Sequence, residues 1–440
     1  MTRRQARRPA AGFRVCCDSI AALAPLVRDG GVLFAKNSDR PALECQPLRW
    51  QGPSQHQAGS ALRCQYIDIE QVAHCHGFIG AGPHWLWGLE QGVNDQGVAV
   101  GNHSIYTKDP LATAGLTGMD LVRLALERGD SAREAIAVVT ELIGRYGQGG
   151  SGFIDIEWPY HNSFLVADCR EAYLLEASGS HWALKKAGGG GLSASNHTVI
   201  GRDWELLSEG CERHAAEQGW CEPDGERFDF AAAYRDLSTV PQVVSSGRYA
   251  VTCKVLDGVA GGLDAAALMR VMRDHYGQGY ELTEARSPDS ERRYSVCMHA
   301  DPVGTTTASM VCRLDQGATG VVWMAPGSPC LTPYLPVFVE GRPPPELLAG
   351  GSEPNSGGAW WRFKALSQEV ARDPGGRAGV VRERWSGLES AWRDEAAELA
   401  ARLPNSSSER GAMLGDFMQS AWAQASAELE KLTSQFAGLK

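Results

Sequence analysis

Apolar and polar positions follow two different rhythms along this chain, one up to about residue 330 and another beyond 360. Residues 31–36 form a short apolar run entered through the Gly30-Gly31 turn, which predicts a strand. Over 63–70, Cys64 and Tyr66 alternate with Arg63 and Gln65, then Ile67 and Ile69 with Asp68 and Glu70. The phase slips by one between Tyr66 and Ile67, which suggests one strand with a bulge. Two apolar runs flank Asn94-Asp95-Gln96-Gly97, so 85–101 reads as a hairpin. Residues 118–128 place apolar side chains at 119, 121, 122, 124, 125 and 126, a helix packed on one side. Gly129-Asp130 ends it, and Ser131 with Glu134 three residues on caps a second helix over 131–146. Strands at 162–167 and 171–176 join through the turn 168–170, and 181–186 continues them. A glycine run at 188–191 precedes 192–196, a helix follows at 263–276, and late strands fall at 306–313 and 320–324. Strands outnumber helices, and the helices come in groups, which predicts an α+β fold of antiparallel sheets.

Near residue 340 the rhythm changes. Residues 341–358 are rich in Gly, Pro and Ser and read as a linker. From 359 to 440 the pattern is helical, divided into about three helices by Pro374-Gly375-Gly376 and by 404–408. Acid and base pairs there, such as Glu428 and Lys431, read as solvated helix faces. The expected organisation is therefore a leader over 1–16, a main domain over 17–340, the linker 341–358 and a helical region over 359–440.

Composition narrows the function classes. A formal charge of -10 leaves no basic face suited to nucleic acid. No apolar run approaches the roughly 20 residues of a membrane helix. Residues 1–16 are the exception in charge, with Arg3, Arg4, Arg7, Arg8 and Arg14 and no acid. The apolar stretch after them is short and broken by Asp18, so an export signal is not indicated. The twelve cysteines contain no C-x-x-C and are expected to be reduced in a cytoplasmic protein.

The basic leader runs directly into Cys16-Cys17. A chain cut before a cysteine holds a thiol nucleophile and a free α-amine on one residue. That amine titrates near pH 8 and can take the thiol proton, so no histidine is needed. Lys36 is a candidate cation for the thiolate, and Asp39 a candidate to orient the amine. Two buried structural cysteines are the alternative reading.

Longer segments narrow the choice. Cys17-Asp-Ser-Ile-Ala-Ala-Leu23 and Gly31-Val-Leu-Phe-Ala-Lys-Asn-Ser-Asp-Arg40 resemble the start of the secernin and dipeptidase family of N-terminal-nucleophile (Ntn) hydrolases. The segments 85–98, 118–129, 147–150, 161–168, 173–179 with 182–183, 295–299 and 305–311 resemble later family blocks in the same order. The resemblance implies a four-layer αββα sandwich of two antiparallel sheets. It implies self-cleavage before Cys17, Cys16 being the competing candidate. Lys36 stands where the bile-salt hydrolase branch has an arginine, and a lysine cannot make the two-pronged contact of a guanidinium. Asp39 and Asn196 match that branch's aspartate and its amine-orienting asparagine. The oxyanion donor falls among Asn102, His103 and Ser104, with Asn102 favoured for its amide. For a distal arginine only Arg292 and Arg293 offer themselves.

Trp85, Trp87 and His161 are candidates to contact substrate. His74-Cys75-His76 with His84 lacks a completing ligand pair, so no metal and no cofactor are expected. The reading is a cysteine amidohydrolase acting on a small peptide or N-acyl amino acid. An acyltransferase on the same Cys17, or a secernin-like binding protein using its helical region, are the rivals. A homo-oligomer formed through the C-terminal helices is the expected self-association.

Overall fold

The computed structural model describes residues 16–28, 30–222, 225–238, 243–258, 260–277, 294–300, 304–315, 320–354 and 357–438. The expected leader therefore lies outside the described residues except for Cys16, as do Arg292 and Arg293.

Two strands open the fold, β1 (Cys17–Ala22) and β2 (Val32–Arg40). After β3 (Leu48–Gln51) come two small ribbons, β4 (Ser54–Gln55) with β7 (His74–Cys75), and β5 (Ala61–Arg63) with β6 (Asp68–Glu70). Next are β8 (Phe78–Ala81), β9 (Gln91–Asn94) and β10 (Ala99–Ile105), then helices α1 (Gly118–Arg128) and α2 (Ala132–Tyr146). The strands β11 (His161–Ala167), β12 (Ala172–Ser178), β13 (His181–Lys186), β14 (Gly191–Ala194) and β15 (Leu206–Leu207) follow. Helices α3 (Cys211–Glu217), α4 (Phe230–Tyr234), α5 (Val243–Leu256) and α6 (Ala265–Met272) lead to β16 (His299–Ala300), β17 (Gly304–Leu314), β18 (Val322–Ala325) and β19 (Leu335–Val337). The chain ends in α7 (Pro345–Leu348), α8 (Ala359–Val370), α9 (Pro374–Ala400) and α10 (Ser407–Ala437).

The strands form two antiparallel sheets. One runs β14-β1-β2-β17-β18-β19 with β16 on β17, and the other runs β15-β13-β12-β11-β10-β9-β8-β3. β1 and β14 lie over β10, β11 and β12, so the sheets face each other. Helices α5 and α6 cover β14, β1, β2 and β17 from outside, while α1 and α2 cover β9 to β12. This is the four-layer αββα sandwich that the resemblance implies. A strand covered on both faces is shielded from solvent on both, which is why β1, β2, β11 and β12 are buried at every position. α1 starts on a reciprocal cap in which Thr117 accepts from the Asp120 amide and Asp120 accepts from the Thr117 amide.

The C-terminal helices share the sandwich's core. α10 packs on β19, α8 and α9. Trp385 and Trp392 of α9 are completely buried, and Trp385 donates its indole N–H to the Leu331 carbonyl at 2.9 Å. No helix of the described residues is long and apolar enough to cross a membrane.

Three local expectations change. The phase slip at Tyr66-Ile67 is a turn between β5 and β6, closed by Cys64 N–H on the Ile67 carbonyl at 2.9 Å, and not a bulge within one strand. The hairpin around Asn94–Gly97 is β9 with β10, and Trp85 and Trp87 precede it outside any strand. The span 341–358, read as linker, contains α7 with Leu347 buried.

Replacing Trp385 by alanine removes a buried indole and its hydrogen bond. The expected loss is about 3–5 kcal/mol in urea denaturation, against about 0.5 kcal/mol or less for Leu237→Ala, whose side chain is 60% exposed.

Candidate active site

The site is assembled by the pairing of β1 with β2. Cys17 lies opposite Ser38, Asp18 opposite Asn37, and Ser19 opposite Lys36. Directly opposed residues share a face, and the face alternates along each strand. Cys17, Ser19, Lys36 and Ser38 therefore face the other sheet, while Asp18 and Asn37 face the helices. The first half of β2, Val32–Ala35, is ordinary core. Its second half, Lys36-Asn-Ser-Asp-Arg40, is polar or charged and fully buried. Such a segment is tolerated only where each charge meets a partner.

On the inner face the partners form a chain of alternating charge. Lys36 Nζ is 3.7 Å from Glu90 Oε2, and Glu90 Oε1 is 3.4 Å from Arg40 Nη1. Arg40 Nε donates to Glu44 Oε2 at 2.5 Å, and Trp85 donates its indole N–H to Glu44 Oε1 at 2.8 Å. Two cations thus meet two carboxylates. The Lys36 stem crosses β10 at Gly101, where a Cβ would sit 2.4 Å from Lys36 Cδ. Glycine at 101 leaves room for the lysine. Ser19 Oγ meets His103 Nε2 at 2.6 Å, and burial holds that imidazole well below its usual range and hence neutral.

Burial pushes the Cys17 thiol up to about 11. Lys36 pulls it down, while Glu90 and Asp39 push it up. In the uncut chain the thiol is protonated near neutrality, so attack by sulfur requires a base.

The outer face holds a second charge cluster. Arg248 of α5 is ion-paired with Asp18 through Nη1, lies 4.0 Å from Asp39 Oδ2, and donates from Nη2 to Asn196 Oδ1 at 2.9 Å. Thr306 donates to Asp39 Oδ1 at 2.6 Å. One guanidinium faces two buried carboxyl groups, so one of the two is favoured in its neutral form. Burial pushes Asp39 up to about 8, with Arg248 opposing and Asp18 adding to the rise.

Between the faces lies the peptide bond joining Cys16 to Cys17. The Cys17 N–H donates to Asn196 Oδ1 at 2.6 Å. Asn196 is held from behind by donating Nδ2 to the Ser104 carbonyl at 2.9 Å and to Ser104 Oγ at 3.0 Å. The Cys16 carbonyl accepts from the Asp39 backbone N–H at 3.1 Å. Both polar ends of this peptide bond are therefore gripped.

The structure brings Cys17, Lys36, Asp39 and Asn196 together, Asp39 reaching the peptide through its backbone. Asn102 is placed beside Glu90. With its amide turned to satisfy both ends, it donates to Glu90 Oε2 at 3.0 Å and to the Glu90 carbonyl at 3.1 Å. Trp85 joins the inner chain through Glu44. Trp87 instead lies under the Arg123 guanidinium, 4.0 Å from its ring centre. His161 bonds Thr107 Oγ1 at 2.7 Å, and burial lowers it to about 4. Its network continues through Ser178 and Asp109 to His214. The histidines near β7 are also otherwise engaged: the His76 ring nitrogens contact the Asp95 and Asp130 carboxylates, and His74 is hydrogen-bonded with Gln55 at 2.9 Å.

Sequence reasoning missed Glu90 and Arg248. Glu90 was visible in the block 85–98 but carried no role. Arg248 sits in 243–256, where small and apolar residues occur all round and no stripe announces a helix.

The model of peptidase family C69 matches residues 90–249, which run from Glu90 through Asn196 to Arg248. That match spans 160 of the chain's 440 residues. Solved structures with a similar outline include a mutant conjugated bile acid hydrolase from Clostridium perfringens, 9% identical, covering 70% of this chain and 88% of that one at a TM-score of 0.41. Penicillin V acylase from Agrobacterium tumefaciens is 10% identical, covering 73% and 86% at 0.39. A Caenorhabditis elegans N-acylethanolamine-hydrolyzing acid amidase ortholog is 11% identical, covering 67% and 92% at 0.31.

The raised Asp39 carboxyl has a consequence for stability. Unfolded, it loses its proton near pH 4, and folded near pH 8. The folded state is therefore penalised progressively as pH rises between those values, by up to about 1.4 kcal/mol per pH unit. Urea denaturation should show Asp39→Asn gaining on the wild type from pH 5 to pH 8. A difference that is flat with pH contradicts the assignment.

Proposed function

We propose that this chain is a self-processed cysteine amidohydrolase that cleaves a small peptide, a dipeptide in the first instance, or an N-acyl amino acid. The observation that carries the reading is the grip on the peptide before Cys17, with Asn196 Oδ1 on its nitrogen and the Asp39 N–H on its carbonyl oxygen.

In the processing step, Cys17 Sγ adds to the Cys16 carbonyl carbon, and the developing oxyanion is held by the Asp39 N–H. The C–N bond breaks, the thiol proton ends on the Cys17 nitrogen, and a thioester joins Cys16 to Cys17. Water hydrolyses that thioester, releasing residues 1–16 with a new carboxylate and leaving Cys17 with a free amine and thiol.

In turnover the free α-amine, oriented by Asn196, takes the thiol proton, and Lys36 stabilises the thiolate across the inner face. The thiolate attacks the substrate carbonyl. The amine then gives the proton to the leaving nitrogen, and water releases the acyl group. The match of residues 90–249 to the peptidase family C69 model supports the bond type. Cys17 is only 3% exposed, which favours a small substrate over a folded protein.

The test is hydrolysis of a dipeptide panel and of N-acyl amino acids by the mature protein, read as free amino acid released. Cys17→Ser is expected to abolish turnover, and Asn196→Ala to lower kcat about 10²-fold. Mature wild type that leaves every such substrate intact would overturn the substrate class.

A further inference from the structure

Away from Cys17, four side chains with metal-ligating atoms converge. They are His275, just beyond α6; Cys297 and His299, at the entry to and start of β16; and Cys330, in the turn after β18. Their ligand atoms all lie within 4.8 Å of one another. His299 Nε2 is 3.5 Å from Cys297 Sγ and 3.2 Å from Cys330 Sγ. The His275 and His299 rings stand 5.2 Å apart at 53°.

These separations match a tetrahedron. A zinc ion with Zn–S near 2.3 Å and Zn–N near 2.0–2.1 Å has S···N edges of about 3.6 Å and S···S edges of about 3.8 Å. Both cysteines are buried and both histidines half-buried, so the set is enclosed by protein.

The segments that supply the ligands are already fixed by their own backbones. The Cys297 N–H donates to the Asp274 carbonyl at 3.0 Å, which ties the first two segments together. Asp274's carboxylate accepts from the Tyr276 and Gly277 amides, at 2.7 and 2.9 Å, which fixes the turn that carries His275. Ser328 donates to the Thr306 carbonyl at 2.9 Å and accepts from Thr332 at 3.0 Å, which fixes the turn that carries Cys330. Asp274 is thereby occupied as a turn-former, and the ligand set is two sulfurs and two nitrogens. Two thiolates and two imidazoles in a tetrahedron select zinc among the common divalent ions.

We propose that His275, Cys297, His299 and Cys330 form a structural zinc site. Binding is balanced as one Zn²⁺ taken up and two thiol protons released, leaving a neutral Cys₂His₂ centre and no open coordination position. The site would clamp the end of α6 and the turn after β18 onto the Cys297–His299 segment. Met298 in that segment packs with Cys16, and its N–H donates to Thr306 Oγ1, the hydroxyl that donates to Asp39. The ion would thus position the wall behind the Cys16–Cys17 peptide without touching substrate. The inference stands independently of the amidohydrolase reading.

The test is the metal content of the full chain purified under reducing conditions and exposed to zinc, then to cobalt. The expected result is one equivalent of zinc per chain. Cobalt exchange should give the intense thiolate charge-transfer absorption of a tetrahedral site. Cys297→Ala/Cys330→Ala should lose both signals, and chelation should lower the Tm of wild type but not of the double variant. If the double variant fails to fold, His299→Gln reads the same loss. Folded wild type that takes up no zinc overturns the proposal, as does zinc content unchanged by these variants. A metal-free chain two hydrogens lighter through a Cys297–Cys330 disulfide overturns it too.

Discussion

Charge burial on one strand governs this molecule. The second half of β2 carries Lys36, Asp39 and Arg40 into a region with no water to solvate them. An uncompensated buried charge costs several kcal/mol, so each must be answered from elsewhere in the chain. Glu90 and Glu44 answer on the inner face, and Arg248 with Asp18 on the outer. These partners come from the approach to β9, from the loop after β2, from α5 and from β1. Satisfying the charges therefore requires the two sheets and the outer helix to meet in one arrangement. The same requirement holds the Cys16–Cys17 peptide in place.

The two faces divide the chemistry. The inner face sets the state of the sulfur: burial and Glu90 keep the thiol protonated, and Lys36 works against them. The outer face sets the nitrogen, because Arg248 steadies the same Asn196 oxygen that receives the Cys17 N–H. Division of this kind suits the proposed dual role of Cys17, nucleophile through its side chain and base through its backbone nitrogen.

Much of this was legible in the sequence. The capped helices α1 and α2 and the β11–β12 hairpin followed from periodicity and turn residues. Cys17, Lys36, Asp39 and Asn196, which the structure places together, were candidates from the Cys16-Cys17 reading and from the resemblance. What stayed hidden was long-range. Asn102 was favoured as an oxyanion donor on residue type, but a sequence cannot show that Glu90 lies beside it. Arg248 lay in a segment without an amphipathic stripe, because the buried positions of α5 are themselves polar (Ser245, Arg248 and Thr252) and polarity does not mark its exposed face. The Cys297 and His299 pair has its partners 22 residues before Cys297 and 31 residues after His299 (His275 and Cys330), spacings that match no familiar ligand motif.

The most direct measurement is the N-terminal sequence and intact mass of the purified chain, alongside Cys17→Ala. The account predicts that wild type begins at Cys17 and lacks the mass of residues 1–16, while the variant keeps its leader. Wild type that retains the leader under native conditions would contradict the account, because the α-amine that serves as base would not exist.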